Sequence, residues 1–137
     1  MFLLDTNVVS EVRKLKPHGA VLSWLQSTPD HALYLSAVTL GEIQAGIEIT
    51  RERDVAKATE IETWLEQLAQ SFQVLAVDAA VFRCWAKLMH HRNNHHLEDA
   101  LIAATALTHD LTVVTRNTKD FADFGVRLLN PFLILNN

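Results

Sequence analysis

A single cysteine, Cys84, in 137 residues rules out an intramolecular disulfide. Such a chain fits a reducing compartment, where thiols stay free. With only four glycines and three prolines, little length is left for irregular loops. No uninterrupted apolar run approaches the ~20 residues that a membrane span needs. The opening Met-Phe-Leu-Leu meets Asp5 at once, without the basic segment of an export signal. The expectation is a soluble, unexported, cytoplasmic protein without a membrane partner. A basic excess is also missing: the formal net charge is -4, whereas phosphate-binding proteins usually carry a positive balance. That absence does not exclude nucleic acid. An enzyme that gathers carboxylates around cations is acidic overall, and the bound cations invert the local field.

What is present is apolar material, 49% of the chain, enough for one core. The length predicts a single domain over residues 1–137. Helical patterns alternate with short apolar runs, which predicts an α/β class with a parallel sheet. Strands are expected at Phe2–Leu4, Leu33–Leu35, Val74–Val77, Leu111–Thr115 and Val126–Leu129. Helices are expected at about Thr6–Arg13, Ala20–Leu25, Thr39–Thr50, Asp54–Ala69, after an Asp78 cap, and at Leu97–Thr108. Asn117 starts a short helical turn.

Four acids fall at similar places in this pattern. Asp5 ends the first strand, Glu42 and Asp99 lie in the first turns of their helices, and Asp120 follows the strand ending at Thr115. Parallel sheets bind ligands beyond the carboxyl ends of their strands. Carboxylates brought together there cannot all stay ionised without a cation. Oxygen donors from four segments, with no cysteine nearby, suit Mg²⁺ or Mn²⁺ better than zinc. Each acid also has a plainer reading. Asp5 can cap the first helix, and Thr39 with Glu42 has capping-box spacing. Glu98 and Asp99 can complement a helix dipole, and Asn117 with Asp120 has the spacing of a cap and its first-turn acid.

Four stretches in order carry a resemblance: Leu-Leu-Asp5-Thr6-Asn7-Val-Val-Ser, Leu35-Ser36-Ala-Val-Thr-Leu-Gly-Glu42-Ile, Glu98-Asp99-Ala-Leu-Ile-Ala-Ala-Thr105-Ala, and Val114-Thr115-Arg116-Asn117-Thr-Lys-Asp120-Phe121. Together they make the chain similar to the PIN-domain ribonucleases, and within them to the VapC-type toxins of toxin–antitoxin modules. The resemblance implies an α/β/α sandwich with a central parallel sheet and an acidic pocket. It implies Asp5, Glu42, Asp99 and Asp120 as catalytic residues holding one or two Mg²⁺ or Mn²⁺ ions. Thr6 or Asn7 would orient Asp5, with Thr115 beside them, and Asn117 would order the loop that carries Asp120. The implied reaction is hydrolysis of an RNA phosphodiester by metal-activated water, leaving a 5′-phosphate and a 3′-hydroxyl. The implied partners are RNA, a cognate antitoxin whose tail occupies the acidic groove, and a second copy in a homodimer. Before the third acid this chain departs from the family: a glycine-bearing loop gives way to Arg92-Asn93-Asn94-His95-His96.

Other residues are weighed beside these. Arg116 and Lys119 flank Asn117 and are candidates for phosphate contact, as are Arg13 and Lys14 after the first helix; the plain alternative is a solvated charged surface. His91 and His95 have the i, i+4 spacing of a zinc pair, but the stretch reads as an exposed connection leading to Asp99, with substrate contact ahead of zinc. Trp24, Trp64 and Trp85 are expected in the core, and Cys84 is expected to be a buried, inert thiol. Two rival functions stay open here. One is a nuclease of the same fold that processes RNA or acts on DNA. The other is a non-catalytic module that binds nucleic acid or protein.

Overall fold

Five short strands form one parallel sheet in the order β3-β2-β1-β4-β5, in a computed structural model that describes residues 1–92 and 96–134. They are β1 (Phe2–Leu4), β2 (Leu33–Ser36), β3 (Gln73–Leu75), β4 (Thr112–Val114) and β5 (Leu128–Leu129). The helices between them are α1 (Thr6–Val12), α2 (Gly19–Ser27), α3 (Ala37–Arg51), α4 (Val55–Ser71), α5 (Ala79–Met89), α6 (Leu97–His109) and α7 (Thr118–Phe121).

Apolar residues on both faces of the strands explain why the sheet is covered on both sides. Leu3 and Val113 point to one face, where the helices contribute Ala100, Ile102, Ala103, Ala106 and Phe121. Leu4, Leu35 and Val114 point to the other, against Val8, Val9 and Val21. The period of two along a strand divides one apolar run between two cores. Helix α6 buries four alanines completely, so its backbone lies close to the sheet. The expected sandwich with a central parallel sheet is the observed architecture. Truncating one of the fully buried sheet residues, such as Leu3, costs about 2–5 kcal/mol.

The strand order determines where a site can form. From the central β1 the chain runs outward through β2 and β3, then returns to the other side of β1 for β4 and β5. Connections therefore leave β1 and β4 in opposite directions, and a crevice opens between their carboxyl ends. Asp5 and Thr115 are the first residues past those ends.

Several boundaries differ from the sequence expectation, each for a local reason. Strand β3 starts at Gln73 and stops at Leu75 instead of Val77, because its partner β2 ends at Ser36, opposite Leu75. Ser36 turns the chain into α3 by accepting the Val38 N–H at 3.1 Å. Helix α3 thus begins two residues earlier than expected, and Thr39 is buried inside it, not at its cap. The capping-box reading of Thr39 and Glu42 is overturned. Asp78 acts as the expected cap, accepting the Val81 N–H, while Asp54, expected as the first residue of its helix, instead caps α4 by accepting the Lys57 N–H.

The three tryptophans are half-buried and pack against the core clusters. Trp24 meets Phe2 edge-on at 5.1 Å. Trp85 buries its indole N–H without a hydrogen-bond partner among the described residues. Cys84 is only half-buried, not the buried thiol expected, because α5 turns its outer face, including Phe82, to solvent. No helix among the described residues is long and apolar enough to cross a membrane.

Candidate active site

Asp5 caps α1 and also faces the crevice at the end of β1. It is the N-cap of α1, with Oδ1 accepting the Thr6 N–H at 2.8 Å. Its other oxygen accepts the Thr115 hydroxyl at 2.8 Å and the Asn7 amide at 3.1 Å. Asn7 also ties the two central strands together, since its Oδ1 accepts the Arg116 N–H at 3.1 Å. Thr115 Oγ1 accepts from Asn7 Nδ2 and from the Asn117 N–H while donating to Asp5. That uses the full capacity of a hydroxyl, one donor and two acceptor positions. Three donors are thus aimed at one carboxylate. Burial nevertheless raises the Asp5 carboxyl above its ordinary range, against the lowering by Thr115, Thr6 and Asn7, and Asp120 adds to the rise.

The other acids reach the same crevice from separate elements. Glu42, in the second turn of α3, has its carboxyl raised to about 7 by burial first, then by the charges of Glu98, Asp5 and Asp99, while the Thr6 hydroxyl opposes the rise. Asp99, in the first turn of α6, is raised by burial, Asp5 and Asp120, and lowered by His96. His96 Nδ1 lies 3.2 Å from Asp99 Oδ2. Ligand atoms of His96, Asp99 and Asp120 all lie within 4.8 Å of one another. Asp120 sits on α7, where its N–H closes a turn onto the Asn117 carbonyl at 3.0 Å. Asn117 is the N-cap of that helix but makes no side-chain cap bond, so it orders the Asp120 turn through its backbone.

The four predicted acids therefore converge, and two neighbours join them that were not among the predicted ligands. Glu98 acts on Glu42 electrostatically, and its signal was the acid pair Glu98-Asp99 at a helix start, which also serves a dipole. His96 stands one helical turn before Asp99, and the only pointer to it was the histidine-rich stretch.

Four carboxylates linked by repulsion through Asp5 and Asp99, three of them held above their ordinary pKa, make a donor set that a hard cation would satisfy. The acidic cluster has the chemistry to hold a divalent ion.

The predicted cations divide. Lys119 lines a cleft of about 360 Å³ with Asp120, His96, Arg92 and His91, and Arg116 shares a second concavity with Lys119 and Asp120. The Arg116 guanidinium lies over the Phe132 ring at 4.5 Å. Arg13 and Lys14 line a different groove, between α1, α3 and α4 and floored by Ile43, Ile47 and Trp64, which borders the acidic site at Thr6 and Glu42. Lys14 is bound to the buried Glu11 at 2.7 Å. The zinc pair considered for His91 and His95 has its second member outside the described residues.

Comparison with known families supplies the decisive match: the PIN domain model covers residues 2–126, from β1 to beyond α7. The chain belongs to the PIN-domain family. That span contains Asp5, Glu42, Asp99 and Asp120. Relatives of this PIN domain include the toxin FitB of Neisseria gonorrhoeae, 34% identical over 96% of this chain and 99% of FitB. The VapC ribonuclease Y4jK of Sinorhizobium fredii is 34% identical over 96% of this chain and 98% of its own length. Among solved structures, FitAcB from Neisseria gonorrhoeae superimposes with a TM-score of 0.87 at 34% identity, covering 98% of this chain and all of that one. A toxin–antitoxin complex from Klebsiella pneumoniae gives a TM-score of 0.73 at 26% identity, covering 98% of this chain and all of its counterpart.

Proposed function

We propose that this PIN domain is an Mg²⁺- or Mn²⁺-dependent endoribonuclease acting in the cytoplasm as the toxin of a toxin–antitoxin module, with its 137 residues working as one nuclease unit. The observation that carries the reading is the convergence of Asp5, Glu42 and Asp99, each raised by burial and mutual repulsion, at the crevice between β1 and β4. Family membership adds a nuclease fold, and the names of the relatives add ribonuclease and toxin.

In this reading Asp5, Glu42, Asp99 and Asp120 hold the cation. When bound, a divalent ion lowers the pKa of a water and offsets the charge that builds on a phosphodiester. The chain's own residues supply the rest. Thr6, Asn7 and Thr115 hold Asp5 in one orientation through three hydrogen bonds, the kind of support that tunes a ligand carboxylate. Asn117 fixes the turn that presents Asp120. Arg116 and Lys119, beside Asp120, contact the RNA backbone.

The proposed partners are RNA, a second copy of the chain and a cognate antitoxin. An arginine or a lysine on the antitoxin would satisfy the acidic crevice by charge-assisted bonds and block it. The test is cleavage of total RNA by purified wild type, Asp5→Asn and Asp99→Asn with Mg²⁺ or Mn²⁺. Wild type is expected to cut. Both variants should lose at least about 100-fold in rate, the scale on which one well-placed electrostatic contact acts, while keeping their circular dichroism. Wild-type cleavage by Asp99→Asn overturns the assignment.

A further inference from the structure

His96 is an unusual start for a helix. It stands at the N-cap of α6 with φ 64° and ψ 32°, in the left-handed region, and its side chain makes no cap bond to the helix. Side chains that cap a helix by accepting a backbone N–H normally start from an extended backbone. His96 directs its imidazole toward Asp99 three residues on, with Nδ1 3.2 Å from Oδ2. A ring nitrogen of His96 and a carboxylate oxygen from each of Asp99 and Asp120 lie within 4.8 Å of one another. Ligands bonded to one octahedral ion at ~2.0–2.2 Å stand roughly 3 Å apart when adjacent. The His96–Asp99 separation has that value before any ion arrives.

We infer that His96 is a nitrogen ligand to the cation held by Asp99 and Asp120, and that it tilts this centre from magnesium toward manganese. The inference rests on the reading of the acidic crevice as a metal centre and adds a donor of a different kind to it. Carboxylates alone favour hard ions such as Mg²⁺, which dehydrates reluctantly. Imidazole favours transition metals. A single nitrogen at an otherwise all-oxygen site therefore alters the ratio of affinities more than their sum. The rival role for the same contact is a hydrogen bond alone, in which His96 merely orients Asp99. That role makes a different prediction, because an orienting bond helps both ions equally.

The experiment is metal binding by the full chain, without RNA. Mn²⁺ and Mg²⁺ affinities are measured by calorimetry for wild type and His96→Gln. Pulsed electron paramagnetic resonance on the Mn²⁺-loaded wild type reads nitrogen coupling directly. Expected results are a nitrogen coupling in wild type that disappears in His96→Gln. The variant should also lose about tenfold in Mn²⁺ affinity with Mg²⁺ affinity changed less than about twofold, the lower end of what metal-site substitutions cost. Mn²⁺ bound to wild type without nitrogen coupling overturns the inference and leaves the metal reading intact. A coupling that persists in His96→Gln, or an equal loss for both ions, overturns it as well. Absence of any Mn²⁺ binding by wild type overturns both readings. The wild-type spectrum decides even if the variant fails to fold.

Discussion

Thr115 donates its hydroxyl to Asp5 at 2.8 Å although 110 residues separate them. The bond joins the carboxyl ends of β4 and β1, the strands on either side of the crevice. Thr115 is completely buried, so Thr115→Val keeps the volume and removes the donor. Asp5 would retain the Thr6 and Asn7 donors, and the Asn117 N–H would lose its acceptor. Ribonuclease activity or Mn²⁺ affinity should fall about 10–100-fold, with a stability loss of roughly 1–3 kcal/mol from the orphaned polar groups. Calorimetry and a cleavage assay on the same preparation check both. Unchanged metal affinity would show that Asp5 needs no such support.

The acidic crevice also has consequences for stability. Glu42 rises from 4.5 to about 7 on folding, so between those values the folded chain binds more protons than the unfolded one. Stability from this group is complete below about pH 4.5 and is lost as pH rises through 7. Asp5 and Asp99 are raised too and act in the same sense. Glu11, lowered by Lys14, acts oppositely, but its window lies below pH 4.5. The metal-free protein should therefore melt a few degrees lower at pH 8 than at pH 5.5, on the scale of about 3–5 °C per kcal/mol. Glu42→Gln should flatten that fall. Mn²⁺ should raise the melting temperature more at pH 8 than at pH 5.5, because its ligands must be deprotonated. Differential scanning fluorimetry over this range reads all three.

The basic side chains should separate by function. Arg116 and Lys119 border Asp120. Changing either to Ala should weaken RNA binding and reduce the salt slope of affinity by about one. Lys14 serves Glu11, which also accepts the His18 N–H at 2.8 Å. Lys14→Ala should cost about 1 kcal/mol of stability, since Lys14 itself is exposed although Glu11 is buried, and leave RNA binding unchanged. Filter binding at several salt concentrations, beside thermal melts, tests the division. Equal loss of RNA affinity in Lys14→Ala would extend the RNA surface along α1.

Local pattern carried most of the fold. Alternating short apolar runs and helical periods named the sheet and its class, because burial on both faces leaves strands almost wholly apolar. The Asp78 cap was legible because a side chain bonds an N–H only three residues ahead, whereas Asp54, expected as the first helical residue, proved to be a cap as well. Element ends were less legible. Whether β3 ends at Leu75 depends on where its neighbour β2 turns away, and that partner is distant in sequence.

For the site, the residues themselves marked out Asp5, Glu42, Asp99 and Asp120 as acids at strand ends and helix starts. Residue types and spacing are local properties that survive without coordinates. Only the tertiary structure decided that these acids share one field strong enough to raise Glu42 to about 7. It also brought Glu98 and His96 into that field and assigned Lys14 to Glu11. Electrostatic coupling falls with distance in space, not with separation along the chain, so it becomes definite only when the sheet brings β1 and β4 side by side.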